Sequence, residues 1–355
     1  MTMLEERRQP HVIVGVDSHK YVHQAAVLDE RGVLLGNRGF EATSAGYSEL
    51  LGWVETMGTP TRIGIECTGS YAAGLTRFLR ARGMDVLDVN TPHKAVQARR
   101  GKDDAIDAEA AARKVLSGEA TTVAKDTTGD VEALRQLRVV RESAVKARTI
   151  ALQQLQDLLI TAPAALREAV DHKGTRNKVR RASALRPDLG HLEDPMQSAK
   201  YSLRALARRV KALDEEIAEL DAHMGRLVAR CAPSLIARCG IGTQHAAQLL
   251  ITAGQNLDRL DSDAAFARLC GVAPIPVSSG NTHRMRLHRG GDRQANRTLH
   301  LIVVVRLKLD DRTKAYMRRR LSEGLSKRDA MRCLKRFVAR EVFNDLRHDF
   351  LANRT

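Results

Sequence analysis

Aromatic residues are scarce in this chain of 355 residues: they fill 3% of positions, with a single tryptophan. A core with few rings must be built from alanine, leucine and valine, which implies mostly helical packing. The same scarcity argues against base stacking as the main contact with nucleic acid. Cysteine is sparse as well. Cys67, Cys231, Cys239, Cys270 and Cys333 are scattered, odd in number and contain no Cys-x-x-Cys pair. Neither a zinc ribbon nor a disulfide framework is indicated, and a reducing compartment fits. No apolar run approaches the length of a membrane-spanning helix. The opening Met-Thr-Met-Leu-Glu-Glu-Arg-Arg has no apolar signal core, so the expected location is cytoplasmic, at the nucleoid.

Acidic charge is short overall. The net charge is +16 and the pI about 10, which points to a nucleic acid or another anionic surface as partner. The excess is localised. Residues 1–124 carry 15 Lys and Arg against 16 Asp and Glu, whereas residues 281–340 carry 18 against 5. A basic run is often a solvated helix face, but an excess of this size in one segment favours an anionic partner.

The acids of the first segment are the most informative residues. Asp17 closes the apolar run that starts at His11, and Glu66 closes a second run, Arg62-Ile-Gly-Ile-Glu66. Both runs read as buried strands. Val22–Asp29 and Val33–Ala42 flank Glu30-Arg31-Gly32, a hairpin signal. Helices are expected over Ser44–Met57, capped by Thr43 or Ser44, over Ser70–Arg82, and near 93–100 and 104–117, with a strand over Asp85–Val89. The order gives an α/β domain with a mixed sheet and matches the RNase H topology.

Downstream, residues 131–160 read as helix, and 163–200 as an aperiodic connector with a basic stretch from Lys173 to Arg181. Leu203, Leu206, Val210, Leu213, Ile217, Leu220, Met224, Leu227 and Cys231 alternate in steps of three and four. Four unbroken heptads indicate a coiled coil, either between chains or as an antiparallel hairpin with 131–160. Residues 234–275 form a helical unit. Its Gly240-Ile-Gly242 turn is a weak phosphate-binding signal, since such glycines also serve as plain caps. Gly271–Gly280 reads as a loop, and helices follow at Arg293–Leu309, Thr313–Glu323 and Lys327–Asp345. The expected organisation is an α/β RNase H/RuvC-like domain (1–125), a helical coiled-coil middle (126–232) and a mostly α C-terminal domain (233–355).

Asp104 and Asp107 lie three apart, on one face of the helix expected there. With Asp17 and Glu66 they give four carboxylates able to converge. Such a set repels itself unless it holds a hard divalent cation, here Mg2+, which assists phosphoryl transfer. Asp103 and Glu109 point elsewhere on the same helix and are expected to be solvated. Ser278-Ser279-Gly280 sits beside Arg284, Arg286, Arg289 and Arg293. A serine hydroxyl in that field can attack a phosphate, although Ser-Ser-Gly is also a common turn. Arg318, Arg319, Lys335 and Arg336 are candidate nucleic-acid contacts, on helices whose spacing equally suits a solvated face.

These motifs together resemble the DEDD, or IS-one-ten, family of insertion-sequence transposases, over nearly the full length. Val14-Gly-Val-Asp17, Ile65-Glu66-Cys-Thr-Gly-Ser-Tyr71 and Lys102-Asp-Asp104-Ala-Ile-Asp107-Ala carry the acidic part. Gly240-Ile-Gly242, Leu269–Pro274, Ser278-Ser279-Gly280 and Arg289-Gly-Gly291 carry the rest. The resemblance implies a RuvC-like domain whose DEDD acids are Asp17, Glu66, Asp104 and Asp107, and a helical domain whose nucleophile is Ser279. It further implies DNA partners (element ends and target), a structured bridge RNA, and a dimer or tetramer whose active site is shared between subunits. The chain departs from the family pattern in the Ile-Pro-Val-Ser stretch before Ser279 and in Ser18-His19-Lys20 after the first acid. Two other readings use the same residues: a structure-selective nuclease with water as nucleophile, and a binding protein whose catalytic site has decayed.

Overall fold

The computed structural model describes residues 10–89, 103–279, 282–288 and 290–352. The helix expected near 93–100 lies outside them. The chain divides into two compact units. Residues up to Gly129, joined by Ala253–Ser262, form the first, and Asp130–Thr252 with the chain from Asp263 onward form the second.

The first unit is a five-stranded mixed sheet between helices. Its strands are β1 (His11–Ser18), β2 (Val22–Asp29), β3 (Leu34–Glu41), β4 (Thr59–Glu66) and β5 (Val86–Val89). Their order is β3-β2-β1-β4-β5, with β1 antiparallel to β2 and parallel to β4. This arrangement is consistent with an RNase H-like domain. On one face Val12, Val14, Val16, Ile63 and Ile65 pack with Leu50 and Val54 of α1 (Ser44–Glu55) and with Leu75 and Leu79 of α2 (Ala73–Arg80). Burying each such side chain contributes about 1.5–3 kcal/mol. Thr43 caps α1 by accepting from the Gly46 amide at 3.1 Å. On the other face lies α3 (Asp104–Leu116), whose Ala111 and Val115 pack with Leu87 and Val89. Asn256 holds the returning segment 253–262 in place, accepting from the Asp126 amide (2.7 Å) and donating to the Ala124 carbonyl (3.0 Å).

The second unit is helix-rich. Its long helices α4 (Gly129–Thr161, which begins at the boundary) and α7 (Pro195–Cys231) run antiparallel. The ion pairs Asp130–Arg230, Arg141–Asp221 and Arg148–Asp214 fix that direction. Of the heptad positions, Leu203, Val210, Met224 and Cys231 are buried, while Leu213, Ile217, Leu220 and Leu227 are only half-buried. The stretch 163–200 is more ordered than its sequence suggests. It folds into α5 (Ala164–Val170) and α6 (Thr175–Ser183), and Leu166, Val170, Val179 and Ala182 pack against Leu155, Leu159, Leu203 and Ala207. Two apolar anchors per short helix are too few to show a period. Pro195 occupies the first turn of α7, where a missing N–H costs nothing, so that helix begins earlier than its heptads indicate.

Beyond α7 come α8 (Pro233–Ile236), α9 (Thr243–Ala253) and α10 (Asp263–Leu269). The stretch read as a loop is instead an antiparallel hairpin, β6 (Pro274–Ser279) with β7 (Thr282–Leu287). A two-stranded ribbon consists of edges alone, so Pro274 and Pro276 are tolerated where a central strand would reject them. Helices α11 (Arg293–Leu309), α12 (Asp311–Ser322) and α13 (Lys327–Ala352) complete the chain.

Candidate metal centre

β1 and β4 end on the same motif: an apolar residue, glycine, an apolar residue, then an acid. Their parallel register pairs Gly15 with Gly64 and Val16 with Ile65, which sets Asp17 and Glu66 side by side at the strand ends. Side chains alternate along a strand, so each acid shares a face with the glycine two residues before it. That face is covered by α3. A Cβ on Gly15 would lie 2.2 Å from the Ala108 carbonyl and 2.2 Å from the Ala112 amide, and one on Gly64 would lie 2.4 Å from Val115 Cγ2. At Gly15 only glycine allows the helix backbone to rest directly on the sheet, and at Gly64 only glycine leaves room for the Val115 side chain. The helix places Asp104 and Asp107 in its first turn: Asp104 comes within ligand distance of Asp17 and His19, whereas Asp107 and Glu66 lie outside that cluster, within charge range of Asp17.

Asp17, Glu66 and Asp107 are buried, whereas Asp104 is exposed. Burial raises the pKa of Asp17, His19 opposes that rise, and the charges of Asp104 and Asp107 add to it. Burial pushes Glu66 up to about 7, with Asp17 adding to the rise, Lys114 opposing it, and Asp107 and Asp88 adding smaller contributions. Asp17 thus feels Asp104 and Asp107, and Glu66 feels Asp17 and Asp107. Glu66 Oε1 is buried with no hydrogen-bond partner among the described residues. A buried acceptor left unmet among like charges is the electrostatic signature of a cation site. Four carboxylates supply the hard oxygen donors that Mg2+ takes.

The surrounding contacts hold these acids in place. Ser18 Oγ donates to the Glu66 carbonyl at 2.9 Å. Cys67, next in sequence, adopts a left-handed φ of 56°, which turns the chain sharply away from the acid. Asp103 is the N-cap of α3, accepting from the Ala105 amide at 2.9 Å, and Glu109 pairs with Arg113. Asp103 is exposed and Glu109 half-buried, so the cap and the ion pair both lie at the surface, away from the acidic cluster. Asn37 of β3 donates to the Ala105 carbonyl at 2.8 Å and ties the first turn of the helix to the sheet. His19 Nε2 lies 3.1 Å from Asp17 Oδ2 and 3.1 Å from Asp104 Oδ1. The sequence reading gave no role to Asn37, His19 or the two glycines. The repeated apolar-Gly-apolar-acid pattern is the signal that would have found the glycines. Nothing local marks Asn37, which acts across 68 residues.

The remaining candidates lie in the second unit. Ser279 ends β6 and its backbone pairs with Thr282. The side chains of Ser279 and Arg284 lie outside the described residues, as does the whole of Arg289. Arg286, Arg293 and Arg318 are exposed. Arg319 is exposed too, 3.7 Å from Glu323. Lys335 is 8% exposed and donates to Asn296 Oδ1 at 2.9 Å, and Arg336 is held by Asp263 at 2.7 Å. Gly240-Ile-Gly242 lines a cleft with Gln244, His245 and Asp221, whose carboxylate is held by Arg141 and Gln244.

No described helix is long and apolar enough to cross a membrane. Residues 14–162 match a family model of DEDD transposases of the IS110 type, described as Transposase. Residues 235–318 match a second model, described as Transposase IS116/IS110/IS902 family. The chain is 25% identical over 370 aligned residues to the insertion element IS900 uncharacterized 42 kDa protein of Mycobacterium paratuberculosis, covering 92% of this chain and 93% of that one. It is 31% identical over 163 residues to the insertion element IS110 uncharacterized 43.6 kDa protein of Streptomyces coelicolor, covering 45% of this chain and 38% of that one. The chain carries the two domains of the IS110 family of transposases, in order along its length.

Proposed function

We propose that the chain is a Mg2+-dependent DNA transposase of an insertion sequence, cutting and rejoining DNA through Ser279 with the help of the DEDD carboxylates. The observation that carries this reading is the buried Glu66 oxygen, without a partner among the described residues and within charge range of Asp17 and Asp107. In this reading Asp17, Glu66, Asp104 and Asp107 hold the cation. Mg2+ bound there would stabilise charge on the transferring phosphoryl group as a Lewis acid. Ser279 Oγ forms a bond to phosphorus while the bridging P–O bond of the strand breaks. The serine gives up its proton and the departing strand end takes one up as a hydroxyl. Reversal by a new strand end rejoins the DNA and frees the serine.

Arg284, Arg286, Arg289 and Arg293 neutralise phosphate oxygens, and Arg318 and Arg319 extend the contact. A structured bridge RNA pairs with donor and target DNA and selects the sites. The low aromatic content suits that division of labour, with the protein gripping duplex backbone while base pairing reads sequence. The active form is a dimer or tetramer joined through α7, whose Leu213, Ile217 and Leu220 are only half-buried within one chain. It acts in the cytoplasm, at the nucleoid.

The test is a cleavage assay with Mg2+, element-end DNA and co-purified RNA, resolved on denaturing gels with and without protease. A protease-sensitive DNA adduct that Ser279→Ala abolishes is the expected result. Cleavage without an adduct, unchanged in Ser279→Ala and lost in Asp104→Ala, would assign water as nucleophile instead.

A further inference from the structure

His19 has no part in the four-acid reading, yet it contacts two of the four acids. It lies two residues beyond Asp17, where β1 ends. Its amide donates to the Val22 carbonyl at 3.0 Å, which closes a tight turn and fixes the base of the ring. The ring presents Nε2 to two carboxylate oxygens at once, Asp17 Oδ2 and Asp104 Oδ1, each at 3.1 Å. Nε2 carries at most one hydrogen, so it cannot make a full hydrogen bond to both. These ligand atoms of Asp17, His19 and Asp104 all lie within 4.8 Å of one another. Metal–ligand bonds of about 2.1 Å give an octahedron whose edge is about 3 Å. The observed N···O separations match that edge, so the three atoms can occupy three vertices with little rearrangement. Glu66, within charge range of Asp17, offers an oxygen, Oε1, that has no partner among the described residues, on a residue only 7% exposed.

We propose that His19 is a nitrogen ligand of the divalent ion held by Asp17 and Asp104, an inference that rests on reading the four acids as a metal site. A mixed oxygen and nitrogen set differs in preference from an all-carboxylate one. Imidazole is accepted more readily by first-row transition ions, Mn2+ among them, than by Ca2+. The site therefore prefers Mn2+ to Ca2+ by more than four carboxylates would, and His19 is the source of the difference.

Pulsed electron paramagnetic resonance on the full chain loaded with Mn2+ tests this directly. The expected spectrum carries a directly coordinated 14N coupling, which shifts on 15N-histidine labelling and disappears in His19→Ala. Titration calorimetry should show Mn2+ binding weakened about tenfold or more in His19→Ala, with a narrower gap between Mn2+ and Ca2+. His19 is half exposed, and matching thermal melts of the two chains in EDTA would establish that the variant folds. Bound Mn2+ with no nitrogen coupling, or with a coupling that persists in His19→Ala, overturns the proposal. Glu66→Gln and Asp104→Asn separate this failure from that of the underlying reading. If Mn2+ binds them as it binds the parent, or if the parent binds none at millimolar concentration, the four-acid site itself is wrong.

Discussion

Glu66 holds its proton to about pH 7 in the folded chain, against 4.5 for the ordinary side chain. Between those values the folded state keeps a proton that the unfolded state releases. Stability without divalent ions therefore falls as pH rises through that window and levels off above it. Glu66→Gln removes the charge while keeping the shape. In EDTA at pH 8 the variant should be more stable than the parent by on the order of 1–3 kcal/mol, and at pH 5 most of that gain should be gone. Urea denaturation at the two pH values decides it, and a gain that is equal at both would show that burial of charge is not the cause. Asn37 acts on the site at one remove. Asn37→Ala frees the Ala105 carbonyl and should cost about 1 kcal/mol. Its Mn2+ affinity should fall as well, and unchanged calorimetric affinity would show that the first turn of α3 needs no such tether. At this scale the four acids were legible because charge at the end of an apolar strand is conspicuous. His19 was not, because its meaning depends on where α3 delivers Asp104.

Among the elements, the contact between α3 and the sheet is the most exacting. Gly15→Val drives a branched side chain into the Ala108 carbonyl and the Ala112 amide, both backbone atoms. Expected losses are on the order of 3 kcal/mol or more, together with loss of Mn2+ binding, whereas overpacking against flexible side chains costs less. Circular dichroism melts with calorimetry would check both, and a variant that folds and binds normally would refute the close contact. The antiparallel pair of α4 and α7 should depend on its apolar seam rather than on its ion pairs. Leu155→Ala should cost about 2–5 kcal/mol, whereas a double-mutant cycle on Arg141 and Asp221 should return under about 1 kcal/mol. The sheet and the long helices were readable from periodicity. The β6–β7 hairpin was not, because Pro274 and Pro276 signal a loop and only the pairing with β7 makes them a strand. The short helices α5 and α6 escaped because each buries only two residues, too few to show a period.

Over the whole molecule, the formal charge overstates what a phosphate backbone can meet. Lys335 is buried on Asn296, Arg306 is held by Glu341, and Arg336 by Asp263. The slope of log affinity against log salt for duplex DNA should therefore be shallower than a count of Lys and Arg implies. Arg318→Ala should reduce the slope by about one, and Lys335→Met should leave it unchanged, which fluorescence anisotropy across a salt series would measure. An equal effect of both substitutions would mean that Lys335 leaves its buried site on binding. The paired glycines have one more consequence. Side chains between two elements act as a cushion, since they can change rotamer and absorb a displacement. At Gly15 there is no cushion, and the backbone of α3 rests on the strand as stone on stone, while Gly64 makes room for the side chains of Val115 and Val89. Asp17 and Asp107 then stand on backbones fixed against each other, so alignment for reaction falls to the DNA and the nucleophile rather than to the acids.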